Sequence, residues 1–444
     1  MSETTTLAPA DYAAELEAAL AAPQPESLRT LRRSAFERFA ERGFPVSSEE
    51  EWRFTNVGPV TRTRFARPQG ASGPALDRAT ADWARLDGTH ELVFVDGRFA
   101  AALSSPGELP AGVRFRSLAE AMDGDWERVE PLLGRRADIV ARPFAALSTA
   151  LFEDGAWIEI EPGARVATPI HVLFLSSGPE APTAVFPRLL VVAGEGSETT
   201  LVESHAGRDG SRYLVAPVAE IVAAQGAVLD HAKLQRDGLD AFHLSALHLE
   251  AARDSRVTSR TYSLGAAIAR HDVQAVLAGE GSEVTLDGLY MVRGRQLADY
   301  HMRVDHAKPH TTSHELFKGI LDGRSRGVFN GRIHVHPQAQ KTDAKQSSRN
   351  LLLSSEALVN ANPQLEIYAD DVKCTHGSTV GQLDEEAIFY LRSRGIGVEA
   401  ARSLLTYAFA ADLVERARVD ALRERLQEFL FAWIPQGEVV REAV

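Results

Sequence analysis

Apolar residues recur at helical spacing near both ends of the chain and at strand spacing through its middle. Pro9 opens an Ala/Leu/Glu-rich stretch that stops at Pro23. A second predicted helix, about Glu26–Arg42, ends at Gly43 with Pro45 beyond. Ser47 and Glu50 have the spacing of a capping box for a short third helix through Glu50-Glu51-Trp52-Arg53-Phe54. Residues 61–90 are rich in Gly, Pro and Ala and weakly patterned, as a loop would be. Leu92–Phe99 reads as a hairpin turning at Asp96-Gly97, and further helix is expected within 117–150.

From about residue 151 the helical period disappears. Short Val/Ile/Leu runs with period-2 alternation are punctuated by Gly, Asp and Ser. The stretch Ala193-Gly194-Glu195-Gly196-Ser197-Glu198-Thr199-Thr200-Leu201 returns as Ala278-Gly279-Glu280-Gly281-Ser282-Glu283-Val284-Thr285-Leu286. Similar punctuation at Gln225-Gly226-Ala227, Asp254-Ser255-Arg256, Ser325-Arg326-Gly327 and Ser355-Glu356-Ala357 gives a period of roughly 30 residues, the range of stacked repeats. A parallel β-helix, each coil burying its apolar face on its neighbours, explains the repeat; a β-sandwich does not. From about 385 the helical period returns. Glu399–Arg418 and Val419–Trp433 read as an amphipathic hairpin capping the solenoid, with Gly395 and Gly397 ahead of it. The fold class expected is therefore mainly β: an N-terminal mainly helical domain (1–150), a parallel β-helix core (151–385) and a C-terminal helical domain (386–444).

At 444 residues and 44% hydrophobic content the chain can bury a sizeable core. No apolar run approaches the ~20 residues of a membrane span, and Met1–Thr6 lacks the pattern of a signal peptide, so a cytoplasmic location is expected. With 48 basic against 61 acidic residues the net charge is −13, which argues against nucleic-acid binding. Only six of the basic residues are lysines, which reads as compositional bias. The Gly194-Glu195-Gly196 turns lack a following Gly-Lys-Ser/Thr and carry glutamates that would repel phosphate, so no nucleotide site is visible.

Cys374 is the only cysteine. That excludes an intrachain disulfide, a C-x-x-C site and a self-contained iron–sulfur cluster, which takes about four protein ligands. Cys374 and His376 lie at i, i+2, and on a strand both face one way, as shared metal ligands would. The competing reading, a buried cysteine beside a hydrogen-bonded histidine, is favoured by spacing alone. His334 and His336 have the same geometry, and β-solenoids can mount catalytic zinc on such pairs, so a stand-alone metal-dependent hydrolase or lyase is the alternative. No acidic general base sits at a diagnostic spacing from them. His310 and His314 fall in Thr/Ser-rich sequence, and surface or turn positions are the simpler reading for all four histidines. Lys341, Asp343, Lys345 and Arg349 form a polar cluster between two strand segments, either an interface or a solvated face. Tyr407, Phe409, Phe429, Phe431 and Trp433 suit a partner interface or packing onto the body of the protein.

The run Gln340–Ser354, with Leu365-Glu366-Ile367 and Lys373-Cys374-Thr375-His376-Gly377, closely resembles the signature of the SufB/SufD family of iron–sulfur cluster assembly proteins, nearer its SufD branch. Glu51–Asn56, Val93–Phe99 and Leu383–Ile396 extend the resemblance, which is densest from about 310 to 410. SufB members carry further cysteines, so this chain resembles a companion of the principal scaffold. The resemblance implies a right-handed parallel β-helix between helical domains. It implies a SufB-like partner through the β-helix and a SufC-like ABC ATPase through the C-terminal helices, with homodimers possible when the partner is absent. It also implies a non-enzymatic role with a transient Fe–S cluster at the subunit junction and none held by the isolated chain, which would be essentially metal-free. His376 matches the histidine implicated there in forming the nascent cluster and is the expected iron ligand, and Cys374 matches the neighbouring cysteine.

Overall fold

The computed structural model of the protein describes residues 6–68, 81–178 and 181–444. Its centre is a parallel β-solenoid of two facing sheets, one ten-stranded and one eleven-stranded, with the chain crossing from one to the other in each coil. The inner faces pack on each other through residues such as Ile170, Val191, Leu229, Leu249 and Val304. Val228 is paired with Glu198 on one side and Arg256 on the other, and Arg256 in turn with Glu283. The sequence repeat is thus the coil period.

The punctuating residues form a stacked turn. Gly163, Gly196, Gly226, Asp254, Gly281, His310 and Lys341 all have positive φ. Each donates its amide to the next coil, from Gly163 to the Glu195 carbonyl through to Lys341 to the Asp371 carbonyl. Left-handed backbone costs an L side chain about 1–2 kcal/mol, so glycine is the expected occupant. The repeated Gly-Glu-Gly is therefore a turn signature, not a phosphate loop. His310 is one of these turn residues, while His314 lies exposed on the strand Thr312–Leu321, so the two do not pair.

The two ends of the solenoid differ. At the N-terminal end the strand His90–Val95 runs parallel to Ile170–Ser176 and is closed by the antiparallel Arg98–Phe99. The predicted hairpin is present, with Asp96 and Gly97 both at positive φ as a type I′ turn requires. Val113–Ser117 likewise lies antiparallel on Gly155–Ile160. Both strands belong to the segment expected to be mainly helical, and they extend the sheets. At the other end, among the described residues, Leu358–Ile367 pairs only with Arg326–Val335, and Lys373–Gly381 only with Asp343–Leu352, leaving both outer edges open.

Helices Ala13–Ala21, Glu26–Arg42 and Pro143–Leu151 pack as a cluster around Phe39, Trp52 and Phe144 and against Leu190, Leu214 and Phe242 of the eleven-stranded sheet. Trp52 ends a single 3₁₀ turn, Glu50–Trp52. The capping box does not form there: no side chain caps the turn, and Glu49 takes the Val46 amide instead, at 3.0 Å. The expected loop 61–90 is described in part. It contains a 3₁₀ turn at Asp82–Ala84 and a bridge from Ala66 to Thr183, and residues 69–80 lie outside the described residues.

The C-terminal helices are Glu385–Ser393, ahead of Gly395, and Val398–Val414, Asp420–Trp433 and Gly437–Ala443, which follow Gly395 and Gly397. They do not cap the solenoid. Leu413, Val414, Leu422, Leu426 and Leu430 pack on Leu234, Tyr262, Leu289, Met291 and Ile320, the outer face of the ten-stranded sheet. Those strands are apolar on both faces toward their C-terminal ends, as strands buried on both sides must be. The aromatic residues of these helices are spent partly on the same contact: Lys318 sits 5.0 Å from the Phe409 ring and Arg236 5.7 Å from that of Phe429. Among the described residues no helix is long and apolar enough to cross a membrane.

Candidate functional site

The open end carries the residues singled out by sequence. Cys374 and His376 lie on the edge strand Lys373–Gly381, in register with Ala344 and Gln346 of the preceding coil. Alternation gives both one strand face, as the spacing predicts. That face is the inner one: Ala344 is fully buried, and Gln346 lies against Gly331 of the opposite sheet, where an added Cβ would come within 2.3 Å of its amide nitrogen. Cys374 is half-buried beside Ile333, Val335 and Ala344. Burial pushes its thiol up, with Asp343 adding to the effect and a backbone hydrogen bond from Ala344 opposing it. The thiol is accordingly less disposed to ligate metal than a free one. His376, two residues further along the same edge strand, is exposed.

Beneath His376 the column continues as Gln346 and then Glu315. Gln346 donates to Glu315 at 2.9 Å, and both side chains are buried. Burial raises the Glu315 carboxyl to about 7, a rise that the Gln346 hydrogen bond only partly offsets. Sequence reasoning missed Glu315; the coil period, applied to His376, would have found it.

The open end is also apolar at its margin. Tyr368, Val380 and Leu358 are exposed on or beside the two edge strands. Phe389, 71% exposed, and Tyr390 follow on the next helix. An unpaired parallel edge with exposed apolar side chains is a surface that ordinarily requires a partner.

His334 and His336 face outward from the eleven-stranded sheet, their rings 4.5 Å apart. The acidic groups that sequence spacing did not supply come from adjacent coils: Asp305 is the register partner of His334 on one side and Glu366 on the other. Lys341, Asp343, Lys345 and Arg349 do not lie between strands. Lys341 is a turn residue paired with Asp371, and the other three alternate along the outer face of the strand Asp343–Leu352, with Asp343 and Lys345 3.1 Å apart.

Residues 174–409 match the family described as "SUF system FeS cluster assembly, SufBD core domain", and residues 10–172 match "SufBD protein N-terminal region". The chain belongs to the SufB/SufD family. It is 33% identical over 401 residues to the iron–sulfur cluster assembly protein SufD of Escherichia coli, covering 89% of this chain and 90% of that one. It is equally similar to an iron–sulfur cluster assembly SufBD family protein of Synechocystis, at 33% over 407 residues and 89% of each chain. A chloroplastic protein of Arabidopsis thaliana, ABCI7, is 29% identical over 91% of this chain and 86% of its own. Within the SufB/SufD family the chain is close to SufD of the SUF system. The metal-dependent hydrolase or lyase alternative gains no support from these relatives.

Proposed function

We propose that the chain is the SufD-like subunit of a scaffold that builds nascent iron–sulfur clusters in the cytoplasm. Its open end receives a SufB-like paralogue, and its C-terminal helices receive a SufC-like ABC ATPase. The cluster is cargo, held transiently at the junction and shared with the partner, and the role of this chain is not enzymatic. His376 supplies an imidazole nitrogen to iron, and Cys374 lies beside it on the same inner face.

The observation that carries this reading is the position of His376, exposed at the rim of the last coil with both edge strands unpaired. A second solenoid docked there would pair the free backbone, cover Tyr368 and Val380, and bury His376 at a junction. The partner would then supply the thiolates this chain lacks. Nucleotide-driven movement of the ATPase would open that junction as a shift between closed and open populations.

The test is an anaerobic pull-down of the tagged chain from cells that co-express its neighbouring genes, with iron and sulfide assayed on the eluate. Recovery of an ABC-type ATPase and a cysteine-richer paralogue, with sulfide found only in the complex, is the expected result. A chain that elutes alone would overturn the reading.

A further inference from the structure

The outward pair His334 and His336 belongs to a larger constellation. Asp305, His334 and His336 each offer one ligand atom, all within 4.8 Å of one another. Asp305 comes from the strand Leu297–His306, His334 from Arg326–Val335, and His336 from the residue just past that strand. Two features fix the backbone. Asp305 and His334 are register partners, and the His336 amide donates to the His306 carbonyl at 3.0 Å. Two of the three donors are thus presented by ladder strands, and the third by a residue whose amide is still bonded to the neighbouring coil.

The surroundings are those of a ligand set. Glu366 lies 3.0 Å from Nδ1 of His334. A carboxylate there holds the proton on Nδ1 and leaves the Nε2 lone pair free, the arrangement that orients metal-bound histidines. Arg332, 3.5 Å from the other Glu366 oxygen, ties that carboxylate in turn. His306 takes no part: it faces inward and is bonded to Thr311 and Ser313.

Two features work against binding. Arg303 donates to both Asp305 oxygens, at 2.9 and 3.0 Å. Each oxygen keeps a second acceptor direction, so the arginine weakens the site by its charge without closing it. The donors are also wider apart than the ~3.3 Å set by metal bonds of about 2.0–2.1 Å in tetrahedral geometry. The His336 side chain, 36% exposed, can close that gap by rotation.

We propose that Asp305, His334 and His336 form a binding site for a single divalent first-row transition-metal ion on the outer face of the eleven-stranded sheet. Two imidazoles and one carboxylate select zinc- or iron(II)-class ions over calcium and magnesium, which prefer all-oxygen sites. Three protein donors leave open positions for water or a further ligand. Glu366, which orients His334, lies on the edge strand itself, so the site borders the open end without sharing a residue with Cys374 or His376. The site is independent of the scaffold role. It narrows the expectation of a metal-free isolated chain: cluster-free, yet able to take one ion.

The test uses the full chain, stripped with chelator and titrated anaerobically with cobalt(II), read by visible absorption, and with zinc(II) and iron(II) by calorimetry and equilibrium dialysis. One equivalent is expected. The double variant His334→Ala/His336→Ala should lose it, with affinity falling at least about tenfold. Cys374→Ser and His376→Ala should retain it, and Arg303→Ala should bind several-fold more tightly. Thermal melts of each variant check that the fold is intact. Unchanged binding in the double variant, loss in the Cys374 or His376 variants instead, or no binding by the wild-type chain at about 1 mM metal, a free energy near −4 kcal/mol, would each overturn the proposal.

Discussion

Arg270 lies with its guanidinium 3.7 Å from the Trp52 ring, and donates to the Glu51 carbonyl at 2.8 Å and to Asp299 at 2.7 Å. Burial disfavours the charge, but Asp272 and Asp299 more than offset it and hold the group above its usual value. Thr55 adds a further hydrogen bond to Asp299. The segment Glu51–Thr55 is thus the latch that fastens the N-terminal helices to the solenoid. Arg270→Met should strip Asp272 and Asp299 of their shared buried cation and cost about 3–5 kcal/mol. Chemical denaturation checks this, and the helical cluster should release at lower denaturant than the solenoid.

Glu315→Gln should have the opposite effect. The folded carboxyl titrates at about 7, above the ordinary value of 4.5. The folded state therefore binds more protons than the unfolded state between those values, and stability falls as pH rises through that window. Among the described residues one oxygen of Glu315 and the carbonyl oxygen of Gln346 lack partners, and a glutamine amide at 315 could donate to the latter. Glu315→Gln should gain on the order of 2–3 kcal/mol at pH 8 and little at pH 4.5. Urea midpoints at the two pH values measure the difference.

The buried histidines act in the other direction. Burial lowers His243, His248 and His306 to about 4 each, with the Lys233 charge adding to the effect at His243. In the unfolded chain they bind protons from about 6.5 downward, so stability present above that value is lost as pH falls toward 4. Three such groups outweigh one Glu315. The wild-type chain should therefore lose stability between pH 6.5 and 4.5, and His306→Gln should flatten part of that slope. Denaturation midpoints across this range decide the matter, and a flat profile would contradict it.

His376→Ala should leave the fold and partner recovery unchanged while abolishing cluster accumulation, because the side chain is exposed and makes no contact on which the coil depends. Iron and sulfide per recovered complex are the readout. A normal yield would remove His376 from the reaction.

The turn ladder offers a smaller test. His310 has φ +57 where Gly281, in the adjacent coil, is a glycine. His310→Gly should raise stability by about 1 kcal/mol, and the melting temperature reports it.

The architecture was legible because its signals are short-range. The Gly-Glu-Gly turns, the Asp96-Gly97 hairpin and the amphipathic C-terminal helices each fit within one window of sequence. Those helices lie on the flank rather than at the end because of residues such as Leu234, Leu289 and Met291. Their outward faces break the period-2 pattern, a signal present in the sequence but weak beside the repeat. The Ser47 capping box does not form because the turn starts at Glu50, with Glu49 rather than Ser47 at its N-cap. The candidate sites were half legible. Cys374 with His376, and His334 with His336, are visible as i, i+2 pairs. Glu315, Asp305 and Glu366 are not, since Asp305 and Glu366 meet His334 across a full coil and Glu315 lies two coils beneath His376, and that register appears only when one coil is laid on the next.

The short antiparallel strand Arg98–Phe99 at one end and the bare parallel edge at the other give the molecule a polarity. A solenoid with two bare ends could add units without limit, whereas this one has a stop at one terminus. If the bare edge seats a second body, as proposed, growth would end there, and the product would be a pair rather than a filament.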